Sequence, residues 1–265
     1  MKTSNFKTTL LNALAISVLS FPSCKDDEEV VIPRTIVEEY TATINLTQLV
    51  DGADFRMNTT DYPYENAMRQ KFKVTKLQYL ISDITFSKDD ATTVTDPGYH
   101  YVDLTNAASL SYTLATKIPA GTYSSIGFTF GFDQTDNVTG EYQDLNTIGW
   151  NWPAMLGGGY HFLRLEGGYL DSTNTPAEFK SHMGTARDNS TTPPTFEVNH
   201  FDVTLANSNV SVSTNFSFDI EMNIEEWYAN PITWDFNVWN APIMPIFGAQ
   251  KALNTNGSSV FTFKK

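Results

Sequence analysis

Alternating apolar and polar residues predict that this chain is built mainly from β-strands. The clearest alternation covers residues 210–222, and a second covers residues 40–47. Because successive side chains of a strand point to opposite faces, a period of two gives each strand one apolar face and one polar face. Both segments are therefore predicted to be strands that bury one face in a core.

A longer segment, residues 73–87, is apolar on both faces, which is typical of a central strand covered on two sides. Helical signals are few and short, at residues 224–229 and 245–253. Other strands are predicted within residues 99–104, 120–132, 201–205 and 260–263. The pattern predicts an all-β fold, a single antiparallel β-sandwich with a few short helices over residues 39–265.

The first residues have the features of a bacterial lipoprotein signal. Lys2 and Lys7 form a basic segment, and the apolar run at 10–21 is shorter than the ~20 residues of a permanent membrane span. Cys24, the sole cysteine, follows this run where a lipoprotein is cleaved and acylated. We predict a signal peptide at residues 1–23 and lipidation at Cys24. An ordinary secretory signal with a leftover thiol is the alternative that this position disfavours.

Residues 24–38 are predicted to form an acidic tether, and the charged run at 25–29 resembles the export signal of surface lipoproteins. We therefore expect an outer-membrane lipoprotein that faces the cell exterior, with a periplasm-facing orientation as the alternative. The chain carries a formal charge of −13, and loss of residues 1–23, with two lysines and no acidic residue, leaves −15. This charge argues against nucleic acid as a partner, while acylation of Cys24 makes outer-membrane lipid one.

The stretch at residues 146–184 contains the candidate chemistry. It holds Trp150, Trp152, His161 and His182 around three successive glycines, which allow a tight turn. A strand is predicted at residues 160–166, ended by the glycine pair that follows. No nucleophile elbow, phosphate loop or zinc-protease helix occurs in the chain, so we expect a protein that is not an enzyme.

An ordered series of short motifs resembles the MbnP-like copper-binding domain, a family of periplasmic or surface β-proteins. The series covers most of the chain after the tether. Its members are LQYLISDI at 77–84, YHYVDL at 99–104, GTY at 121–123, FTFGFD at 128–133, WNW at 150–152, GY at 159–160, LEG at 165–167 and HMG at 182–184.

This resemblance implies a copper site in the region from Trp150 to His182. Copper-binding relatives hold the metal with histidine nitrogens and a kynurenine, which a di-haem partner enzyme makes by oxidising a tryptophan. His182 matches the family's histidine before glycine, and Trp150 and Trp152 match its Trp-x-Trp. Val138 stands where the relatives have a second histidine, so His161 or His100 is expected to substitute for it.

Structural roles are the competing interpretation of these residues. On a strand, His161 would share a face with Leu163 and Leu165 and be buried, whereas His182 would lie in a loop. His100 is expected to be structural and His200 to lie on the surface. Trp150 and Trp152 would share a face and pack in the core.

A second functional class remains open, a glycan-binding or adhesin-like module without a metal. It would require exposed aromatic rings that stack on sugars. The candidates are Trp150, Trp152, Tyr160, Trp227, Tyr228, Trp234 and Trp239.

The lipoprotein interpretation predicts the behaviour of a Cys24→Ala variant. Without its acylated residue the protein should move from the membrane fraction to the soluble fraction, because a signal peptide alone does not retain it. Fractionation with an immunoblot measures this. A variant that sediments with membranes as the wild type does would contradict lipidation at Cys24.

Overall fold

The computed structural model describes residues 37–240 and 242–265. The predicted signal peptide, Cys24 and nearly all of the acidic tether lie outside these residues. In the described part of the chain, no helix is both long and apolar enough to span a membrane.

Strands dominate the described residues. They are β1 (Glu39–Tyr40), β2 (Ala42–Val50), β3 (Ala53–Asp54), β4 (Tyr64–Glu65), β5 (Lys71–Ser87), β6 (Thr93–Asp103), β7 (Ser111–Thr113), β8 (Ile118–Pro119), β9 (Gly121–Tyr123), β10 (Ser125–Phe130), β11 (Leu163–Leu170), β12 (Pro176–Met183), β13 (Ala186–Asp188), β14 (Thr195–Glu197), β15 (Phe201–Thr204), β16 (Val210–Val212), β17 (Phe216–Asn223) and β18 (Phe261–Lys264). The α-helices are α1 (Gln143–Thr147) and α2 (Phe247–Asn256), and 3-10 helices cover Ala107–Leu110, Ala154–Leu156, Ile224–Tyr228 and Gly257–Ser259.

The larger sheet has seven strands and is organised around β5. Its order is β12-β11-β5-β10-β15, and β4 and β6 also pair with β5. The side chains of β5 are buried on both faces, for example Leu77 on one and Leu80 on the other. The prediction of a central strand from its two apolar faces is therefore confirmed.

The smaller sheet has five strands in the order β18-β17-β2-β3, with β7 also paired to β2. The pair formed by β2 and β17 is parallel, whereas the other pairs of the two large sheets are antiparallel. The two sheets share one hydrophobic core, in which the ring of Phe86 on β5 contacts those of Phe216 and Phe218 on β17. The all-β sandwich is confirmed.

Two predicted strands have different limits in the structure. The alternation at residues 210–222 divides into β16, which pairs with β9, and β17, which pairs with β2 and β18. The chain bends between these strands, so that Thr214 is exposed instead of buried, and the side chain of Asn215 accepts a hydrogen bond from the Thr41 amide. The strand predicted at 160–166 begins only at Leu163 and continues through the glycine pair. A Cβ at Gly167 would lie 1.9 Å from the carbonyl oxygen of Lys73, so this glycine allows a bulge rather than ending the strand.

The alternation in β17 gives a test of the core. Phe218 is 2% exposed, so Phe218→Ala should lower the free energy of unfolding by about 3–5 kcal/mol. Ser217 points to the opposite, exposed face, so Ser217→Ala should change it by less than about 0.5 kcal/mol. Denaturant titration compares the stabilities of the two variants, and equal unfolding midpoints would contradict this assignment of faces.

Candidate functional site

The three-glycine turn brings Trp150 and His161 together. Gly157, Gly158 and Gly159 all have positive φ, and a Cβ at Gly159 would lie 2.2 Å from Oδ1 of Asn137. After the turn the chain runs antiparallel to its own preceding segment, so that the His161 amide donates to the Trp150 carbonyl at 2.9 Å. The turn predicted from the glycines is therefore what positions the site.

Trp152 is buried against the backbone of β12's end. A Cβ at Gly184 would lie 2.5 Å from the Trp152 indole, so the glycine in the HMG motif leaves room for this ring. The indole nitrogen of Trp152 donates to the Leu156 carbonyl at 3.2 Å. The edge of the ring system meets the His161 imidazole, with centroids 4.9 Å apart.

Trp150 is fully buried, and its indole nitrogen has no hydrogen-bond partner among the described residues. The Arg164 guanidinium lies over the indole, 4.6 Å from the ring centroid, in a cation–π arrangement. Tyr101 packs against the same indole edge-on at 4.8 Å. Both tryptophans thus pack in the core as predicted, and both contact His161.

His161 and His182 are neighbours, with ring centroids 5.4 Å apart. His182 lies in strand β12 opposite Arg164, so the loop predicted for it is wrong. His161 is buried, but the prediction that it shares the face of Leu163 and Leu165 is wrong. The chain bends at Phe162, before β11 begins, and this bend turns His161 toward Arg164 and His182.

Hydrogen bonds orient both imidazoles. Nδ1 of His161 lies 3.0 Å from the Trp150 carbonyl oxygen and 3.2 Å from Nη2 of Arg164. The Trp150 carbonyl oxygen can only accept a hydrogen bond, so we assign a proton to Nδ1 of His161, which donates to it. Nε2 of His182 correspondingly donates to Oε1 of Glu166 at 2.9 Å. The lone pairs then belong to Nε2 of His161 and Nδ1 of His182.

Both histidines are held neutral. Burial, with help from the nearby Arg164 charge, lowers the pKa of His161 to about 3. Burial also lowers the pKa of His182, although Glu166 partly opposes the shift. Burial would raise the pKa of Glu166, but hydrogen bonds from His182 and Lys76 outweigh it and hold that pKa below its usual value. A carboxylate thus faces a neutral imidazole.

The other candidate residues lie elsewhere. His100 is structural: its Nε2 lies 2.7 Å from the Ser109 carbonyl and its ring stacks on Tyr112. His200 is partly buried rather than on the surface, and its Nδ1 atom is buried without a hydrogen-bond partner among the described residues. Val138 is 48% exposed, in a loop whose neighbouring side chains, Asn137 and Thr139, bind the amides of Tyr160 and Gly159.

The aromatic residues proposed as sugar platforms are mostly inaccessible. Six of the seven are 0–1% exposed, and Trp239 is partly buried against the core. Rings that are enclosed by protein cannot stack on a glycan, so the structure contradicts the aromatic basis of the glycan-binding alternative.

Sequence reasoning missed two polar residues that contact the imidazoles, Arg164 at His161 and Glu166 at His182. The sequence pattern could have placed them together, because both alternate with the buried leucines of β11 and therefore lie on the opposite face of that strand. Their neighbour His182 lies on a different strand, β12, so sequence spacing did not indicate the contact. Across the described ranges 37–240 and 242–265, no group of three or more His, Cys, Asp or Glu side chains is arranged to hold a metal ion. What the described residues do bring together here is a pair of imidazoles, His161 and His182.

Comparison with known proteins assigns the family. The sequence model of the MbnP family matches residues 39–244, most of the chain. The chain belongs to the MbnP family. The resemblance drawn from the ordered motifs is confirmed.

A solved structure agrees with this membership at the level of the fold. MbnP from Methylosinus trichosporium superposes with a TM-score of 0.54 over 86% of this chain and 99% of its own, at 12% identity. A search among curated proteins gave no match. The family keeps its fold at low identity, so the site must be argued from residues of this chain.

The buried neutral His161 predicts an acid-sensitive fold. The pKa of this imidazole is about 6.5 in the unfolded chain and about 3 in the folded protein. Between these pH values the unfolded state binds a proton that the folded state does not bind. The contribution of neutral His161 to the unfolding free energy is therefore lost as the pH falls from about 6.5 to about 3. His161→Asn removes the titration. The gap in unfolding free energy between wild type and variant should therefore narrow on acidification, and a gap that is constant from pH 7 to 4 would contradict it.

Proposed function

We propose that this MbnP-family protein is a copper-binding lipoprotein of the outer membrane. The observation that carries the proposal is the pair formed by His161 and His182, each with one nitrogen oriented by an acceptor and the other left with its lone pair. The resemblance to copper-binding relatives supplies the metal, and imidazole suits copper. Bound copper gives the protein a role in metal capture rather than catalysis.

The donor set fits a metal ion. Metal-binding histidines usually donate their second ring nitrogen to a carbonyl or carboxylate, as His161 does to Trp150 and His182 to Glu166. Imidazole nitrogens bind transition metals at roughly 2 Å, so two such nitrogens on one ion lie within about 4 Å of each other. Rings with centroids 5.4 Å apart are close enough for this.

His161 is proposed to replace the family's missing histidine. Val138 takes that position in this chain, but its loop binds the segment that leads directly into His161. His161 would therefore supply an imidazole in the same region, from the segment just before β11. His100 is excluded from this role by its separate contacts with Ser109 and Tyr112.

A tryptophan-derived ligand, which the resemblance implies, is proposed at Trp150 rather than Trp152. The Trp152 indole nitrogen is committed to the Leu156 carbonyl, whereas that of Trp150 is buried without a partner in the described chain. A buried N–H without a partner is costly, and this one belongs to a ring that contacts His161. We propose a di-haem partner enzyme as the oxidant of this residue.

The membrane anchor and the location complete the proposal. Cys24 follows an apolar signal and precedes an acidic run, which supports an acylated protein held on the outer membrane and facing outward. The net charge of −13 supports a function that does not involve nucleic acid.

Copper binding to purified protein tests the proposal. His182→Ala and His161→Ala should each weaken binding by at least about tenfold, because even loss of an outer-shell partner costs 10–100-fold. His200→Ala is the matched control and should bind as the wild type does. Since the pKa values of His161 and His182 are both lowered, protons should compete with copper for the two imidazoles only below about pH 6.5, the pKa of a free histidine.

A wild-type protein without a histidine tag that takes up no copper near neutral pH would contradict the function. Peptide-mass analysis of the same protein from its native host tests the modified ligand separately. Conversion to kynurenine exchanges one carbon for one oxygen, and an unmodified Trp150 peptide would exclude it while leaving a histidine site.

A further inference from the structure

Four exposed apolar side chains lie around the outside of the three-glycine turn. They are Val138, Ile148, Met155 and Phe196, and we call them the turn patch. Met155 is 73% exposed and the other three are about half exposed. The part of the chain that the structure describes exposes eight large apolar side chains, so one turn accounts for half of them. Single exposed apolar residues are ordinary, but a cluster of them marks an interaction surface.

Met155 and Phe196 lie on one side of the turn and are held close to each other. β13 pairs Arg187 with Phe196, and Nη1 of Arg187 donates to the carbonyl of Met155 at 3.1 Å. A Cβ at Gly157 would lie 2.9 Å from Cδ1 of Phe196, so the missing side chain of this glycine leaves room for the edge of the ring. Both apolar side chains therefore face solvent from fixed backbone positions.

Val138 and Ile148 belong to the other side of the turn. Oγ1 of Thr139 accepts a hydrogen bond from the last glycine amide of the turn at 2.6 Å, which places the neighbouring Val138 beside it. Nδ2 of Asn146 donates to the carbonyl of Gly140 at 2.8 Å, and this bond ties the end of α1, where Ile148 follows, to the same loop. The patch is thus preorganised, so little backbone entropy is lost when a partner covers it.

The surroundings of Val138 and Ile148 are acidic. Residues 131–160 contain Asp133, Asp136, Glu141 and Asp144 but no lysine or arginine. Within residues 37–240 and 242–265, none of these four carboxylates forms a salt bridge. Burial and the nearby charge of Asp133 raise the pKa of Asp136, in agreement with negative charge that no cation offsets.

The Phe196 side of the patch is closer to neutral. Arg187 adds one positive charge, Asp188 beside it adds one negative charge, and Lys251 pairs with Glu197 at 2.6 Å. The negative charge is therefore concentrated on the opposite side, over α1 and the loop before it.

We propose that the turn patch is the docking surface for a protein whose apolar contact area is bordered by lysine or arginine side chains. Methionine and aromatic residues are enriched at the centres of interfaces, and charged residues at the rim steer the approach of a partner of opposite charge. A second copy of this chain does not fit, because both copies carry −13 and their acidic loops would repel each other. The acidic run at residues 25–29 is disfavoured for the same reason. The proposal requires no bound copper.

Photo-cross-linking of the full-length protein in its native host identifies what covers the patch. p-Benzoylphenylalanine in place of Met155 should form an adduct with one protein, and the same group in place of Val238, which is exposed elsewhere, should not. The linked peptide of that protein should combine exposed apolar residues with lysine or arginine. An adduct with a second copy, with residues 24–36 of the same chain or with an acidic partner surface would overturn the proposal, as would no adduct specific to position 155.

Binding of the purified partner tests the chemistry of the surface. Met155→Ser should weaken binding by at least about tenfold, as loss of a central interface side chain does, whereas Val238→Ser should bind as the wild type does. Glu141→Gln should slow association and reduce its dependence on salt, while Glu178→Gln, a change of an exposed carboxylate on β12, should do neither. Association rates of the wild type and variants at about 50 and 300 mM NaCl measure this. Equal affinities of Met155→Ser and wild type, or a wild-type association rate that does not fall with salt, would contradict the proposal.

Discussion

The candidate site depends on burying a neutral imidazole between two tryptophans. His161 is buried, and the Trp150 carbonyl accepts a hydrogen bond from its Nδ1, so the ring has one fixed tautomer and one fixed orientation. This requires the chain to return on itself within a few residues, which the successive positive φ angles of Gly157 to Gly159 make possible. Without that turn Trp150 and His161 would not meet.

Packing between sheet and turn then brings in the second imidazole. β12 pairs with β11 in a register that sets His182 opposite Arg164, and Gly184 lets Trp152 lie on the end of the same strand. Glu166, two residues beyond Arg164, accepts a hydrogen bond from Nε2 of His182 and is itself held by Lys76. Fold and site are therefore linked, because His182 and the carboxylate that orients it belong to neighbouring strands of the large sheet.

Periodicity along the chain was sufficient for the fold class and for the central strand β5, because burial on one or two faces leaves a direct mark on residue order. It failed where tertiary contacts break the period. A bend at residues 213–214 splits one alternation into two strands in separate sheets, and Gly167 supports a bulge where a strand end was predicted. The face of His161 was wrong for a similar reason, since a bend at Phe162 resets the alternation.

The site was predictable only in part. The tryptophans and His182 are carried by local motifs, whereas Arg164 and Glu166 contact the two imidazoles through the packing of separate elements, a relation with no signature in spacing. At 12% identity to a structure of the same family, a shared fold does not identify the ligands of this chain. The pair of imidazoles is thus a property of this chain's own packing.

A crystal structure of the copper-loaded protein, with anomalous data collected at the copper edge, tests the central claim most directly. The account predicts a single strong peak within bonding distance of Nε2 of His161 and Nδ1 of His182, with their other nitrogens still on Trp150 and Glu166. A peak elsewhere on the protein, or bonded to neither of these two nitrogens, would contradict it.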